Sequence, residues 1–166
     1  MKYSSLILLF SAFSVDEADT TPQANIQLER YAGRWYEQAR FENRFEKGMD
    51  AVYTDYTPGP DSCLDVTNSG TSEEQIFKQA SGRAYPGDDG VLHVSFVWPY
   101  WWFRAPYHIL YVDSDYKAAL VSGATDTYLW LLTREARPHP SIIQKLIREA
   151  ELRGFDTSKL RFTKHK

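Results

Sequence analysis

Apolar and polar residues alternate with a period of two along most of this chain, in short runs separated by turn residues. Such alternation gives a strand one buried and one wet face. The runs cover residues 35–41, 51–57, 63–69, 75–85, 91–98, 107–113, 117–123, 127–134 and 160–163. Turn chemistry fills the breaks, as in Pro58-Gly59-Pro60-Asp61, Ser69-Gly70, Pro86-Gly87-Asp88-Asp89-Gly90 and Gly123-Ala124-Thr125-Asp126. One stretch departs from this period. Between Pro138 and Gly154, the apolar residues Ile142, Ile143, Leu146, Ile147 and Ala150 fall at helical spacing. Pro140 suits a first helical turn, and Gly154 suits the position just past the last one. The pattern predicts an all-β meander of eight strands, one amphipathic helix and a short final strand.

The 166 residues suit one domain of ordinary size. A hydrophobic share of 43% with 25% charged residues is that of a globular chain. Aromatics reach 15%, a level that sheet cores, ligand cavities and membrane interfaces all favour. The net charge of −3, without a basic block, speaks against a nucleic-acid partner. Cys63 is the single cysteine, so the chain makes no internal disulfide and no cysteine-type zinc site. At the N-terminus, one positive charge precedes the apolar run Leu6-Ile7-Leu8-Leu9-Phe10-Ser11-Ala12-Phe13-Ser14. Residues 1–14 therefore read as a secretory signal, too short to span a bilayer. Residues 15–24 read as a flexible spacer, and 25–166 as the folded domain.

Three separated motifs carry a family resemblance. The first is Asn25-Ile26-Gln27-Leu28-Glu29-Arg30-Tyr31-Ala32-Gly33-Arg34-Trp35-Tyr36-Glu37, a helical turn that runs through a glycine into a strand. The others are Asp113-Ser114-Asp115-Tyr116, and Arg134 at the end of Tyr128-Leu129-Trp130-Leu131-Leu132-Thr133-Arg134. In this order they resemble the signature regions of the lipocalins, small β-barrels that carry greasy ligands. The resemblance covers residues 26–163. It implies an eight-stranded antiparallel up-and-down β-barrel with the helix packed outside. It gives Gly33, Trp35, Asp113, Tyr116 and Arg134 a structural role at the closed end, with Arg134 lying across Trp35. Within the family, residues 33–41, Arg44-Phe45-Glu46 and Tyr128-Leu129-Trp130 look similar to bacterial outer-membrane lipocalins, a branch that includes apolipoprotein D and plant stress lipocalins. Its bacterial members are lipoproteins anchored through an acylated cysteine and associated with lysophospholipid binding. No cysteine follows the leader here, so the expectation is an exported protein of the periplasm or outer-membrane surface without that anchor, or a secreted one.

Alternation in the family's inward register nominates the cavity lining. It puts Glu37, Ala39 and Phe41 inside on the first strand, then Val52, Thr54 and Tyr56, then Leu64, Val66 and Asn68. Leu92, Val94 and Phe96 follow, then Tyr107, Ile109 and Tyr111, then Leu120 and Ser122, and finally Tyr128, Trp130 and Leu132. The run 75–85 has no clear apolar face at Lys78 and Gln79. Counting strand reversals places the segment Trp98-Pro99-Tyr100-Trp101-Trp102-Phe103-Arg104 at the open end, together with Phe41, Arg44, Phe45 and Lys47. Such a concentration of aromatics suits contact with a membrane or partner, or a plug folded into the barrel. Arg40, Arg44, Lys47 and Arg104 are candidates to meet a phosphate or carboxylate.

Catalytic chemistry is thin. The four histidines are scattered, and neither a phosphate-cradling glycine loop nor a nucleophile elbow occurs. One enzymatic lipocalin branch uses a cavity thiol early on its second strand, where residues 49–53 hold no cysteine. The resemblance thus implies a non-catalytic carrier of a small hydrophobic ligand, a lysophospholipid or fatty acid. No cofactor or metal is expected, membrane contact would be transient, and the carrier would be a monomer or weak homodimer. The rival reading is a lipocalin-type enzyme acting on an isoprenoid or oxidised lipid, with Glu37 or tyrosines as acid or base.

Overall fold

Each predicted run of alternating residues forms a strand in the computed structural model, which describes residues 17–87, 91–96 and 104–165. The leader lies outside the described residues. The elements are α1 (Leu28–Tyr31), β1 (Gly33–Phe41), β2 (Asp50–Pro58), β3 (Leu64–Thr71), β4 (Phe77–Pro86) and β5 (Val91–Phe96). They continue with β6 (Arg104–Val112), β7 (Ala118–Ser122), β8 (Leu129–Thr133), α2 (Pro140–Leu152) and β9 (Leu160–Phe162). Neighbouring strands are antiparallel, in the order β2-β3-β4-β5-β6-β7-β8-β1, and a β1–β2 pairing closes the barrel.

The last strand does more than trail along the outside. β1 pairs with β2 only over Gly33 to Tyr36, and its upper half, Ala39 to Phe41, pairs with β9. Beyond β9 the Ala51 N–H donates to the Lys164 carbonyl, at 2.8 Å, which joins β9 to β2. β9 is therefore a wedge that fills the gap where β1 and β2 splay, and it leaves no free edge there.

Two apolar cores result. The inner one fills the lower barrel with Trp35, Tyr56, Leu64, Val66, Leu92, Val94, Ile109, Val121 and Leu132, over Tyr31 of α1. The outer one lies between barrel and helix, where Leu146 and Ala150 of α2 meet Ala39, Phe41, Leu110, Leu120, Leu129 and Leu131. The sequence predicts both ends of α2. Pro140 occupies its first turn, and the His139 ring accepts from the Ser141 N–H. At the far end the N–H groups of Gly154 and Phe155 return to the carbonyls of Glu151 and Ala150. That closure needs a residue with positive φ, and Gly154 supplies it at 87°. Residues 17–24, expected to be a flexible spacer, are instead tied to the barrel's outside. Ala18 is buried in the outer core, and Asp19 and Gln23 bond to the backbone carbonyls of Arg153 and Ile109.

The floor is built around one guanidinium. Arg134 lies 3.9 Å above the centre of the Trp35 ring. It donates to five backbone carbonyls, those of Arg30, Tyr31, Ala32, Arg34 and Tyr116, at 2.8–3.1 Å. The Trp35 indole N–H donates to the Tyr31 carbonyl, at 2.8 Å. Asp113 holds the β6–β7 turn by accepting from the N–H groups of Lys117 and Ala118. Gly33 has φ 100°, and a β-carbon there would stand 3.1 Å from Arg134 Nη1.

Two substitutions test this floor. Arg134→Leu would strand several carbonyls at once and should cost about 3 kcal/mol. Gly33→Ala should cost about 2 kcal/mol through backbone strain and crowding. Urea unfolding measures both, and a loss below about 1 kcal/mol for Arg134→Leu would mean that other contacts hold the floor.

Candidate ligand-binding interior

Strand register decides which side chains can meet a ligand, and three bulges interrupt it. Between Glu37 and Ala39 the β1–β8 ladder skips Gln38: Glu37 pairs with Leu132, and Ala39 pairs with Leu131. Facing is reversed beyond that point. Ala39 and Phe41, expected inside, belong to the outer core, while Arg40 turns inward beside Trp130. A second skip at Leu110 does the same on β6. Tyr111, also expected inside, packs on the outer core with the Lys145 ammonium 5.2 Å from its ring centre. On β7 the inward residues are Ala119 and Val121, so Leu120 and Ser122 face outward rather than inward. All five residues of β7 are buried, which hides the period of two.

Most of the remaining nominated residues lie on the inward register. Thr54 and Tyr56 of β2 stand in line with Trp35 of β1 and with Val66 and Asn68 of β3, and Val52 lies at the bulge between Asp50 and Tyr53. Leu92, Val94, Tyr107, Ile109, Trp130 and Leu132 surround the inner core. Tyr128 stacks on Trp130 with ring centres 5.7 Å apart. Phe96 ends β5 and Arg104 begins β6, while Trp98, Trp101, Trp102 and Phe103 lie outside the described residues. Lys78 pairs with Gly70, which puts it on the inward register near the mouth. Thr54, Asn68, Tyr107 and Trp130 point into the barrel yet keep accessible surface. Among the described residues, these four inward-facing side chains are not fully enclosed.

Polarity is concentrated at two depths. Near the mouth, the fully buried Arg40 forms a 2.6 Å ion pair with the buried Glu37 and a 3.2 Å pair with the half-exposed Glu42. It also donates to the Met49 and Glu46 carbonyls, and the Thr163 hydroxyl of the β9 segment donates to Glu37. Arg161 of β9 joins this network through Glu42 and Asp50. Arg40 is thus neutralised by carboxylates of its own chain, which withdraws it from the candidates for binding a ligand's anionic head. The β1–β2 loop folds over this corner. The Glu46 carboxylate accepts from the Trp130 indole N–H at 2.9 Å and from the Asn43 amide at 2.7 Å. At the floor, the Tyr31 and Tyr107 hydroxyl oxygens are 2.7 Å apart, and Tyr56 donates to Tyr107 at 2.9 Å.

Sequence reasoning missed the inward placement of Arg40, the reach of Tyr31 and Glu46 into the barrel, and the exposure of Ile76 and Phe77 at the rim. Tyr31 and Glu46 carried a signal, since Tyr31 lies inside the first signature motif and Glu46 inside Arg44-Phe45-Glu46.

Burial, reinforced by the charge of Glu46, pushes the Glu37 carboxyl up to about 7 against the opposing pull of Arg40. The folded protein therefore retains a proton that the unfolded chain releases near pH 4.5. Glu37 makes stability fall as pH rises between those values, and contributes no slope outside them. Glu37→Gln should remove that component. The stability difference between variant and wild type should shift in the variant's favour from about pH 4.5 to 7, then level off. Urea unfolding across this range checks it, and a pH-independent difference would show that Glu37 stays ionised throughout.

A sequence profile described as a lipocalin-like domain matches residues 26–165. The chain is 37% identical over 159 residues to the outer membrane lipoprotein Blc of Vibrio cholerae, covering 93% of this chain and 91% of that protein. Against the Blc of Escherichia coli K12 the identity is 36% over 139 residues, covering 81% and 77%. Among solved structures, insecticyanin from the tobacco hornworm Manduca sexta superposes with a TM-score of 0.71, covering 89% of this chain and 85% of that one. At 16% identity this likeness speaks for the fold alone. The profile, the barrel and the floor around Trp35 and Arg134 agree: the chain belongs to the lipocalins, a family that binds small hydrophobic ligands, and has bacterial outer-membrane lipocalins among its relatives.

Proposed function

We propose that this protein is a non-catalytic carrier of a single-chain lipid, a lysophospholipid or fatty acid, which it takes up tail-first at a membrane. The observation that carries this reading is the partly accessible, mostly apolar interior around Thr54, Asn68, Tyr107 and Trp130. Burying each methylene contributes about 0.8 kcal/mol. A bilayer offers the same tail a similar gain, so the tail alone cannot draw a lipid out. Extraction favours one tail over two, and a head group near the mouth can meet Arg44, Lys47 or Lys78. The Blc relatives are named outer membrane lipoproteins, which supports an exported, envelope-associated setting for this chain too.

Exposed apolar side chains support membrane contact at the mouth. Phe45 of the β1–β2 loop, and Ile76 and Phe77 at the β3–β4 hairpin, are each more than half exposed. Glu73 of that hairpin lies against Gly48, so the two loops adjoin. The Arg44 guanidinium lies 4.6 Å from the Phe45 ring centre, a cation beside an apolar tip that suits a lipid interface.

One observation favours an enzyme: Glu37 is poised near neutrality inside the barrel. Its 2% exposure behind Arg40 and Thr163 keeps substrates from it, which leaves the carrier reading ahead.

Titration followed by tryptophan fluorescence, with Trp130 as an inward reporter, should show lysophospholipids and fatty acids binding at least about tenfold tighter than two-tailed phospholipids, a difference of about 1.4 kcal/mol. Equal affinities, or no response to any lipid, would defeat the reading. Phe45→Ser combined with Phe77→Ser should weaken vesicle binding severalfold while leaving the unfolding midpoint nearly unchanged. Undiminished vesicle binding would remove the rim from the account.

A further inference from the structure

Three phenols meet at the deep end of the barrel, and their protons can be counted. Tyr31 rises from α1 and is tilted against Trp35 with ring centres 4.9 Å apart, while Tyr56 and Tyr107 project from β2 and β6. The three hydroxyls make two contacts with one another, Tyr31 with Tyr107 and Tyr56 with Tyr107, and no other hydrogen bond among the described residues. Each contact uses one proton, so one of the three protons has no protein acceptor. Tyr56 donates to Tyr107, which leaves the spare proton on Tyr31 or Tyr107. Tyr31 has no accessible surface, and a stranded O–H there would bear the full desolvation penalty. Tyr107 keeps accessible surface and points into the barrel. The favoured arrangement has both buried hydroxyls donating to Tyr107, whose own proton then has no protein acceptor among the described residues.

We infer that Tyr107 is a hydrogen-bond donor for the ligand's buried end, so that the cavity favours an apolar chain with an uncharged oxygen acceptor, such as a keto or ester oxygen, far from its head group. Burial pushes the titration of all three hydroxyls upward, so they remain neutral donors at physiological pH. A charged acceptor is disfavoured there. The Arg134 guanidinium beneath is taken up by backbone carbonyls, and an unpaired carboxylate loses far more hydration than a ketone does. This inference rests on the reading of the barrel as a carrier that takes a lipid tail-first.

The test uses octadecanoic acid and a set of its oxo derivatives, isomers of equal size with the keto group moved stepwise along the chain, titrated by tryptophan fluorescence. Affinity should peak when the keto group lies near the tail end, about tenfold above mid-chain isomers. Tyr107→Phe made together with Tyr31→Phe and Tyr56→Phe, so that no hydroxyl is left stranded, should flatten that peak, each isomer being compared with octadecanoic acid on the same variant. Tyr31→Phe is the matched control. It removes one hydroxyl from the same cluster but leaves Tyr56 donating to Tyr107 and the Tyr107 proton free, so the peak should survive. The carbonyl stretch of the best isomer should move to lower frequency on binding to wild type and to Tyr31→Phe, but not to the triple variant. A flat profile in the wild type overturns the inference without needing any variant to fold. A peak that persists in the triple variant overturns it as well. Failure of octadecanoic acid and all isomers to bind would instead sink the carrier reading, and the inference with it.

Discussion

The fold depends on one guanidinium used as a backbone anchor. Arg134 gathers carbonyls from the end of α1 and the start of β1 and, more than eighty residues further along the chain, from the β6–β7 turn. A four-residue helix has no stability of its own, and its last carbonyls lack partners within it. Arg134 supplies those partners, and its flat face covers the Trp35 ring that the helix delivers into the floor. Gly33 completes the device by letting the chain turn sharply from α1 into β1 while leaving room for the guanidinium. The signature residues thus close the barrel, and they also determine how deep its interior can reach, because Tyr31 is carried on the same turn.

That arrangement explains how much could be read from the sequence. Residue-type signals were legible where a position admits few alternatives: the glycine before Trp35, the arginine ending β8, and Pro140 and Gly154 around α2. Facing was legible only as far as each strand stays regular. Nothing in Glu37-Gln38-Ala39 marks Gln38 as an extra residue, yet that skip sends Ala39 and Phe41 outward. Leu110 hides its bulge equally well, because the residues on either side of it are apolar whichever way they face. Arg40 was misread for a different reason. A charged residue near a strand end is usually solvated. Glu37 and Glu42 lie within three residues of Arg40, but the groups that complete its enclosure, Met49 and Thr163, come from a loop and, more than a hundred residues away, from the segment after β9. That part of the partnership is tertiary and leaves no local trace.

The two polar layers of the interior obey different constraints. Near the mouth, Arg40 and Arg161 are matched against Glu37, Glu42 and Asp50 in a single network, which joins β1 and the β9 wedge to the loop leading into β2. Burying such charges contributes little net stability, since desolvation offsets the attraction. What it fixes is geometry: a chain lacking β9 would leave β1 and β2 apart and Arg40 without its roof. Charge in this corner is therefore structural and mostly met by internal partners, although the buried Arg40 Nε–H has none among the described residues.

The floor has the opposite character. Its phenols are neutral, so burying them is affordable without counter-ions, and their shared hydrogen bonds satisfy all but one proton. A water molecule or a ligand oxygen must take that last donor, and an all-methylene tail end can do so only by leaving water behind beneath it. Discrimination at such a site follows from the penalty of an unmet donor rather than from added attraction, and that penalty is larger than the net gain of an ordinary hydrogen bond. An interior that is mostly apolar can for this reason still be selective at its far end. A single hydroxyl, held by two buried neighbours, is enough to make one end of the barrel ask for oxygen.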